Sequence, residues 1–421
     1  MARFSFSQRT FGIDLSDHSI ELMEIGSRFG RPLIRTAGRV ELESGTVVNG
    51  RVDMKDKFVS AVHRLLMSAN VDHHGGHRAI IAIPETQLYL YVFTVPGAVP
   101  EDRIGESVQF MAEETLPLAF DQVYHDYQIL SRGPEGIDVV YVACARDIVD
   151  TLRTSLLAAG ITPIVIEPES AALARAIIPA GPVPPTLILD IGSRASTITI
   201  FDRHGIRYSY TVPVAGHAFT QALMRGRNIS TEEAVRLKRE RLVNIQTAAE
   251  LAEPLHQIIE RISTSILYYE HKTGFAVSQA ILVGGSSLLP GLDRYVHDQL
   301  RLPVIIGNPL HGLNYNRAQF PDDNRRVLYA TVAGLALRGA THTRLHQGLN
   351  LLRHEETHRR LAVGHWFHRG TATHLPVATP APQRAMHAGP PSTSKRTKLL
   401  LMIFFGLIIV FLIVLMIRPN G

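Results

Sequence analysis

The chain contains very little cysteine and very little tryptophan. In 421 residues cysteine occurs once, as Cys144, and tryptophan once, as Trp366. A single cysteine excludes an internal disulfide and fits a reducing compartment. The first residues, MARFSFSQRTFGID, lack both the long apolar core and the cleavage site of a secretory signal peptide. We therefore expect the bulk of the chain to be cytoplasmic.

Acidic residues are absent from the end of the chain. From Arg359 onward there are eight Lys or Arg and no Asp or Glu. Subtracting these eight charges from the net charge of +5 leaves −3 for residues 1–358. A basic tail binds anionic lipid head groups or nucleic acid. Because this tail stands directly before an apolar segment, we expect anionic lipid as its partner and no nucleic acid.

That apolar segment is residues 399–417, LLLMIFFGLIIVFLIVLMI, which contain no charged or hydrogen-bonding side chain. As a helix, nineteen residues at about 1.5 Å each span roughly 28 Å, close to the thickness of a bilayer core. Lys395, Arg396 and Lys398 precede the segment, and positive charge marks the cytoplasmic side. The pattern predicts a single-pass C-terminal anchor in a bacterial inner membrane.

The remainder of the chain alternates strand-like and helix-like patterns, which predicts an α/β fold. The breaker PAGPVPP, residues 179–185, has four prolines in seven residues and marks a boundary between two lobes. The predicted divisions are lobe I at 10–180, lobe II at 186–345 with a final helix returning to lobe I, a basic segment at 346–369, a Pro/Thr/Ala-rich linker at 370–398 and the membrane helix at 399–417.

Two phrases repeat each other, FGIDLSDHSIELMEI at 11–25 and LILDIGSRASTITIF at 187–201. Each closes a buried strand with an Asp, Asp14 or Asp190, and turns through small residues into a second strand. Such turns aim backbone N–H groups and hydroxyls at phosphate, while the Asp holds hydrated Mg²⁺. A later stretch, VGGSSLLPG, has two glycines that permit a close approach to a base and sugar.

Together with AIPETQLYLYVFTVP, VQFMAEETLPLAFDQVYHDYQIL, VPVAGHAFTQAL and ILVGGSSLLPGL, the two phrases resemble the PilM family of type IV pilus assembly over residues 10–340. This family belongs to the actin-like ATPase superfamily, and it is related to GspL of type II secretion and to the division protein FtsA. The resemblance implies an actin-like (ribonuclease H-like) two-lobe α/β fold. It also implies a small inserted subdomain at about residues 79–150.

The resemblance implies a site for ATP with Mg²⁺. The residues it assigns to nucleotide binding are Asp14, Ser16 and Ser19 in the first turn, Asp190, Gly192 and Ser193 in the second, Gly284, Gly285 and Ser286 beside the adenosine, and Lys238 at the ribose or base. The sequence leaves nucleotide binding open. Ser16 replaces the family's usual glycine, Glu21 its lysine and Val235 its glutamate, and a carboxylate facing a polyphosphate lowers affinity. No base for activating water is evident, so we expect a weak ATPase at most.

A second motif lies in GLNLLRHEETHRR, residues 348–360. Its LNLL, residues Leu349, Asn350, Leu351 and Leu352, resembles the INLLP peptide at the cytoplasmic start of PilN, which PilM grasps. The resemblance implies that these residues lie in a groove of their own chain, replacing a partner peptide. A terminal helix packing its leucines on its own domain is the alternative. The adjoining HEETH fits the H-E-x-x-H zinc motif, but no carboxylate follows it, and Leu361 and Gly364 occupy the last two positions that the extended motif requires. His365 or His374 could be the third ligand only in an unusual arrangement, so we expect no zinc site.

These observations predict a membrane-anchored cytoplasmic scaffold of a type IV pilus or a related secretion or competence machine. Its implied partners are PilN-like and PilO-like inner-membrane proteins and a cytoplasmic motor ATPase. Two alternatives stay open, an ATP-binding switch that hydrolyses slowly and an FtsA-like protein that polymerises at the division site. Self-association is left open as well.

Overall fold

The computed structural model describes residues 9–72, 76–179, 181, 183–320, 322–340 and 345–353. The first half of the chain contains β1 (Thr10–Leu15), β2 (Ser19–Arg28), β3 (Arg31–Glu41), β4 (Val47–Val48), β5 (Arg51–Val52), α1 (Lys55–Ser68), β6 (His77–Ile83), β7 (Leu88–Val95), α2 (Ile104–Thr115), β8 (Val123–Gly133), β9 (Gly136–Ala145), α3 (Arg146–Ala158), β10 (Ile161–Pro168) and α4 (Glu169–Ile177). The second half contains β11 (Thr186–Ile191), β12 (Ser196–Asp202), β13 (Gly205–Val212), α5 (Gly216–Arg227), α6 (Thr231–Arg239), α7 (Ala252–Thr273), β14 (Gln279–Val283), α8 (Leu292–Leu300), β15 (Val304–Ile306) and α9 (Ala330–Gly339).

The two lobes are built on sheets with the same topology. The sheet of lobe I has the order β10-β6-β1-β2-β3, and that of lobe II has the order β13-β12-β11-β14-β15. In each sheet the first three strands form an antiparallel meander, and two parallel strands extend the other side of the first strand. The repeated phrases therefore form equivalent strand pairs, β1–β2 and β11–β12, at the centre of each sheet.

Helices cover both faces of the lobe I sheet, which explains why β1 is apolar on both sides. The helices α1 and α3 lie on one face, where Phe11 and Ile13 are fully buried among their leucines and valines. The helices α4 and α9 pack on the other face, where Met23 joins Ile188 of lobe II in one core. This shared core fixes the two lobes to each other through burial of apolar surface.

The last helix, α9, returns from lobe II to pack on β1 and β2 of lobe I. Its run of small residues lets it approach α4 very closely. A Cβ at Gly334 would lie only 1.9 Å from the carbonyl oxygen of Ala172 in α4. Only glycine fits this crossing, so the small residues of VAGLALRG are required by helix packing.

The inserted subdomain is a three-stranded sheet of order β7-β9-β8 with α2 packed on one face. Its predicted start at about residue 79 is wrong, because β6 belongs to the lobe I sheet. There β6 pairs in parallel with β1, Gly12 opposite Ile80, and with β10 on its other side. The predicted end at about 150 is also too late, since α3 packs on β10 and α1 of lobe I. The local strand pattern of β6 carries no information about which sheet it joins.

The predicted membrane helix at 399–417, the basic tail from Arg359 and the HEETH motif lie outside the described residues. Within the described ranges, no helix combines the length and the apolar character needed to cross a bilayer.

Candidate functional site

The two Asp-terminated turns face each other across a cleft between the lobes. Asp14 and Asp190 are the penultimate residues of β1 and β11. The Asp190 charge lies near enough to contribute to the raised pKa of Asp14. One ion pair joins the turns directly. Arg194 Nε, in the second turn, lies 2.5 Å from Asp17 Oδ2 in the first. Asp17 is held in place because its other oxygen accepts a 2.6 Å hydrogen bond from the Asn49 backbone N–H.

The hydroxyl groups of the first turn are engaged within the turn. Ser16 Oγ lies 3.0 Å from Ser19 Oγ and accepts a hydrogen bond from the Ser19 backbone N–H. Ser19 Oγ in turn donates to Glu21 Oε1 at 2.8 Å. Ser16 is exposed at the cleft, whereas Ser19 is buried. Of the two predicted phosphate ligands, Ser16 is therefore the one that a ligand reaches without disturbing the turn.

Glu21, the anion that replaces the family's lysine, is buried and neutralised by a neighbour. It pairs with Arg39 of β3 at 3.1 Å, and the two residues are direct partners in the β2–β3 register. Burial raises the pKa of Glu21, while Arg39 and the Ser19 hydroxyl oppose the rise. Arg39 thus supplies, from the next strand, a cation near the place where the family carries a lysine.

The second turn is anchored to the N-terminus of α5 and to the turn after β14. The carbonyl of Gly192 accepts a hydrogen bond from Gly216 N–H at 3.1 Å, and the carbonyl of Ser193 accepts one from His217 N–H at 2.7 Å. Ser286 Oγ also donates to the Gly192 carbonyl, at 3.4 Å. The structure therefore brings Asp190, Gly192, Ser193 and Ser286 together at one edge of the lobe II sheet.

Position 284 requires glycine because the Asp190 carboxylate lies directly against it. Its φ is +81°, and a Cβ there would lie 2.2 Å from Asp190 Oδ1. A side chain at this position would be strained and would collide with the carboxylate. Gly285 has room for a Cβ, which would contact the Leu328 side chain at an ordinary distance of 3.8 Å. Both glycines were predicted to permit the close approach of a ligand, but at Gly284 glycine is also required by the neighbouring Asp190 carboxylate.

Lys238 belongs to the same region, but it contacts protein. Its Nζ donates a 2.5 Å hydrogen bond to the carbonyl of Gly216 at the start of α5. Burial, with a smaller effect of Arg239, lowers the pKa of Lys238 to about 8. In this arrangement the lysine connects α6 to the start of α5 through this hydrogen bond and does not extend toward a ribose or a base.

Sequence reasoning missed two acids of the cleft, Glu85 and Glu169. The strands β1, β6 and β10 are adjacent and parallel, so their carboxyl ends meet at one edge of the sheet. An acid stands at or near the end of each strand: Asp14 is the last residue but one of β1, Glu85 lies two residues past β6 and Glu169 directly follows β10. The repetition of this pattern in IPE and EPES was the signal that could have found them.

The four acids of the cleft hold their protons unusually tightly. Burial raises the pKa of Asp14 to about 8, with further contributions from Glu21 and Asp190, and burial and Glu85 raise that of Asp190 to about 7. Burial, then Asp190, Asp14 and Glu85, raise the pKa of Glu169 well above its ordinary value. Glu85 is itself raised by burial, although it accepts a 2.7 Å hydrogen bond from Ser170 N–H. Like charges brought together out of water favour the protonated form.

This cluster attracts cations, but it is not a closed metal site. In the described part of the chain, no three His, Cys, Asp or Glu side chains are grouped closely enough to hold a metal ion. Mg²⁺ commonly uses one or two carboxylates and takes its remaining ligands from water and phosphate oxygens. The cleft therefore fits Mg²⁺ that arrives with a phosphate compound, and such binding would release protons from Asp14 and Asp190.

A second site is the groove that holds residues 345–353. The backbone there runs beside β10, the edge strand of lobe I. Leu351 N–H donates to the Ile166 carbonyl at 2.9 Å, and Asn350 Oδ1 accepts from Ile166 N–H at 3.1 Å. From the inserted subdomain, Asp126 accepts a 2.7 Å hydrogen bond from Asn350 N–H and pairs with Arg353 at 3.1 Å. Residues 349–352 form no helix, so the leucines do not pack on their own domain as part of a terminal helix.

The leucines of this segment are part of the lobe I core. Leu349, Leu351 and Leu352 are 3%, 1% and 6% exposed, and they pack in the cluster that contains Tyr124 and Ile166. Beneath the segment, Arg338 of α9 donates to the Leu349 carbonyl at 2.6 Å.

Arg338 also forms a fully buried ion pair with Glu167 of β10, which Arg175 joins at 2.7 Å. Although burial opposes it, the two arginines hold the pKa of Glu167 below its ordinary value. Hydrogen bonds and ion pairs thus join the LNLL segment to the inserted subdomain, to β10 and to α9.

Two five-stranded sheets of the same topology, with Asp-terminated turns facing across a cleft, define an actin-like protein. The solved structure of a PilM–PilN type IV pilus biogenesis complex matches with a TM-score of 0.69 at 20% identity, over 79% of this chain and 99% of that chain. The family model of the type IV pilus assembly protein PilM matches residues 12–340. The chain belongs to the PilM family, and the family predicted from the quoted motifs is confirmed.

The chain is also similar to the cell shape-determining protein MreB. The protein of Escherichia coli (strain K12) is 23% identical over 307 residues, which are 63% of this chain and 88% of MreB. The protein of Haemophilus influenzae (strain ATCC 51907) is 22% identical over 248 residues, or 50% of this chain and 71% of MreB.

Proposed function

We propose that this protein is a membrane-anchored cytoplasmic scaffold of a type IV pilus machine. It would link inner-membrane platform proteins to a cytoplasmic motor ATPase, held at the membrane by residues 399–417 and by its basic tail. Family membership supports the pilus role, and the uncharged run of nineteen residues behind three basic residues supports the anchor.

The observation that carries the scaffold proposal is the LNLL segment lying in a groove of its own chain. The related solved structure is a complex with PilN, and LNLL resembles the INLLP peptide of PilN. We propose that residues 349–352 do within one chain what the partner peptide does between two. The buried leucines and the paired backbone of Asn350 and Leu351 are the contacts that such a peptide would need.

Truncation tests this proposal. The chain cut after Gly339 loses the segment and should gain binding of a fluorescent PilN-like INLLP peptide, while the full chain should bind it weakly. A peptide with Asn replaced by Ala is the matched control, because it cannot accept the hydrogen bond that Ile166 N–H gives to Asn350. Since the cut exposes apolar surface, circular dichroism must show that the truncated chain is folded. A folded truncated chain without gain of binding would contradict occupancy of the groove by the segment.

A second function, an ATP-binding switch, is supported by the acids of the cleft. Asp14 and Asp190 would hold hydrated Mg²⁺, and the turns that contain Ser16, Gly192 and Ser193 would receive the phosphates. The bound ion would supply positive charge that offsets the repulsion among the acids. Burial, with the nearby Asp190, Asp14 and Glu85, raises the pKa of Glu169 well above its ordinary value, which disfavours the carboxylate form that a general base needs, so hydrolysis should be slow.

Equilibrium binding of a labelled ATP analogue with Mg²⁺ separates the scaffold from the switch. Tight binding that Asp190→Ala abolishes would favour the switch. Absence of binding by the folded protein, with or without Mg²⁺, would contradict the switch and favour the scaffold role.

A further inference from the structure

The tip of the β2–β3 hairpin presents an aromatic ring to solvent. Phe29 is 94% exposed, more than any other large hydrophobic side chain that the structure describes. It forms a two-residue turn with Gly30, and both residues have positive φ, 53° and 76°. Asn-Gly is the favoured pair for such a turn, and phenylalanine is strained there. A strained and solvent-exposed ring is costly for the folded chain, so a role outside its own fold is indicated.

The charge around this ring has one sign. Residues 26–35, GSRFGRPLIR, hold three arginines and no acid. Arg35 lies 3.7 Å from Glu24, which Arg9 also contacts. For Arg28 and Arg31, flanking the tip, no carboxylate of the described residues is within ion-pairing distance. The Arg28 guanidinium lies 5.6 Å from the Phe29 ring centre, so cation and ring are presented together.

We propose that this hairpin tip docks on an anionic lipid surface, with the Phe29 ring at the level of the acyl chains and with Arg28 and Arg31 on the head-group phosphates. An aromatic ring among arginines matches the interface, where apolar and anionic groups lie within a few ångströms of each other. The inference rests on the proposed location at the membrane. It adds a second contact, which would orient lobe I against the bilayer.

The test uses the full chain with a fluorescent probe beside the tip. Cys144 is buried and its thiol pKa is raised to about 12, so a maleimide dye added to Ser27→Cys should label that position alone. The labelled chain is incorporated into vesicles of phosphatidylglycerol and phosphatidylcholine. Flotation of the protein with the vesicles measures membrane anchoring, and the dye emission measures insertion of the hairpin tip. Failure of the anchor proposal can therefore be distinguished from failure of the hairpin proposal. The same dye at exposed Gln257→Cys in α7 is the control.

The dye at position 27 should shift to shorter wavelength and be quenched by spin-labelled lipid, whereas the dye at position 257 should not. Phe29→Asn, added to the labelled chain, should lower the ratio of inserted to uninserted hairpin tips about tenfold, because the ring that would be buried among the acyl chains is lost. Asn is favoured in this turn, so the hairpin itself should be kept. Arg28→Gln with Arg31→Gln should lower insertion only in vesicles that contain phosphatidylglycerol. Equal emission and equal quenching at positions 27 and 257 would overturn the proposal and leave a protein partner as the occupant of the tip.

Discussion

Leu351→Ala is the most direct test of whether the LNLL segment is an integral part of the fold. The side chain is 1% exposed and packs in the lobe I core. Truncating a fully buried leucine to alanine costs about 2–5 kcal/mol, from lost burial and from the cavity left behind. The segment is near the end of the described chain, and it is held to the body by its contacts with β10, β8 and α9. We therefore expect the loss to appear first as local detachment of residues 345–353.

A loss of about 2 kcal/mol raises the detached fraction about thirtyfold. Detachment exposes the segment to proteases while the two lobes stay folded, so native-state proteolysis followed by mass spectrometry measures it directly. Binding of the PilN-like peptide should rise in parallel, because the groove becomes free in the same molecules.

Leu157→Ala is the matched control, since Leu157 is 46% exposed on α3 and a surface truncation changes stability by about 0.5 kcal/mol or less. If Leu351→Ala and Leu157→Ala are cleaved at the same rate and bind the peptide equally, the segment contributes no stabilising contact.

Three further predictions concern the cleft. The pKa of Asp190 is raised to about 7, so its contribution to stability is present at low pH and is lost as the pH rises through 7. Asp190→Asn should therefore raise the free energy of unfolding by about 1–2 kcal/mol at pH 8, a value reduced for solvent screening, but change it little at pH 4. Denaturant unfolding at the two pH values measures this difference. Gly284→Ala should destabilise the folded protein by about 1–3 kcal/mol, whereas Gly285→Ala, whose Cβ would make only an ordinary contact with Leu328, should change the unfolding midpoint little. Equal effects of the two substitutions would contradict the contact with Asp190. Arg194→Gln removes the ion pair to Asp17, so hydrogen exchange in both turns should accelerate several-fold without a change in the unfolding midpoint, and unchanged exchange would show that the pair does not hold the cleft together.

Much of the fold could be predicted because its signals are local. The two phrases that end in Asp14 and Asp190 each encode a strand, a tight turn and a second strand, and the structure has both strand pairs at the centres of equivalent sheets. The apolar face of α7 and the small residues of α9 were equally readable, because helical spacing alone shows which side is buried. The family followed from the same motifs.

Long-range contacts were not readable in this way. The pairing of β6 with β1 placed it in lobe I, although its own residues suit any buried strand. Glu85 and Glu169 entered the cleft only because β6 and β10 lie beside β1. The ion pair of Asp17 with Arg194 joins residues far apart in sequence, so no spacing rule predicts it.

By itself the sequence determined the order of elements, the two Asp-terminated turns, the family and the LNLL motif, since each depends on residues close together along the chain. The tertiary structure alone decided that four acids share one cleft, that Arg39 balances Glu21, and that Leu349, Leu351 and Leu352 are core residues of their own lobe. The physical reason is that charge coupling and burial depend on distance in space, which only the packing of the lobes determines.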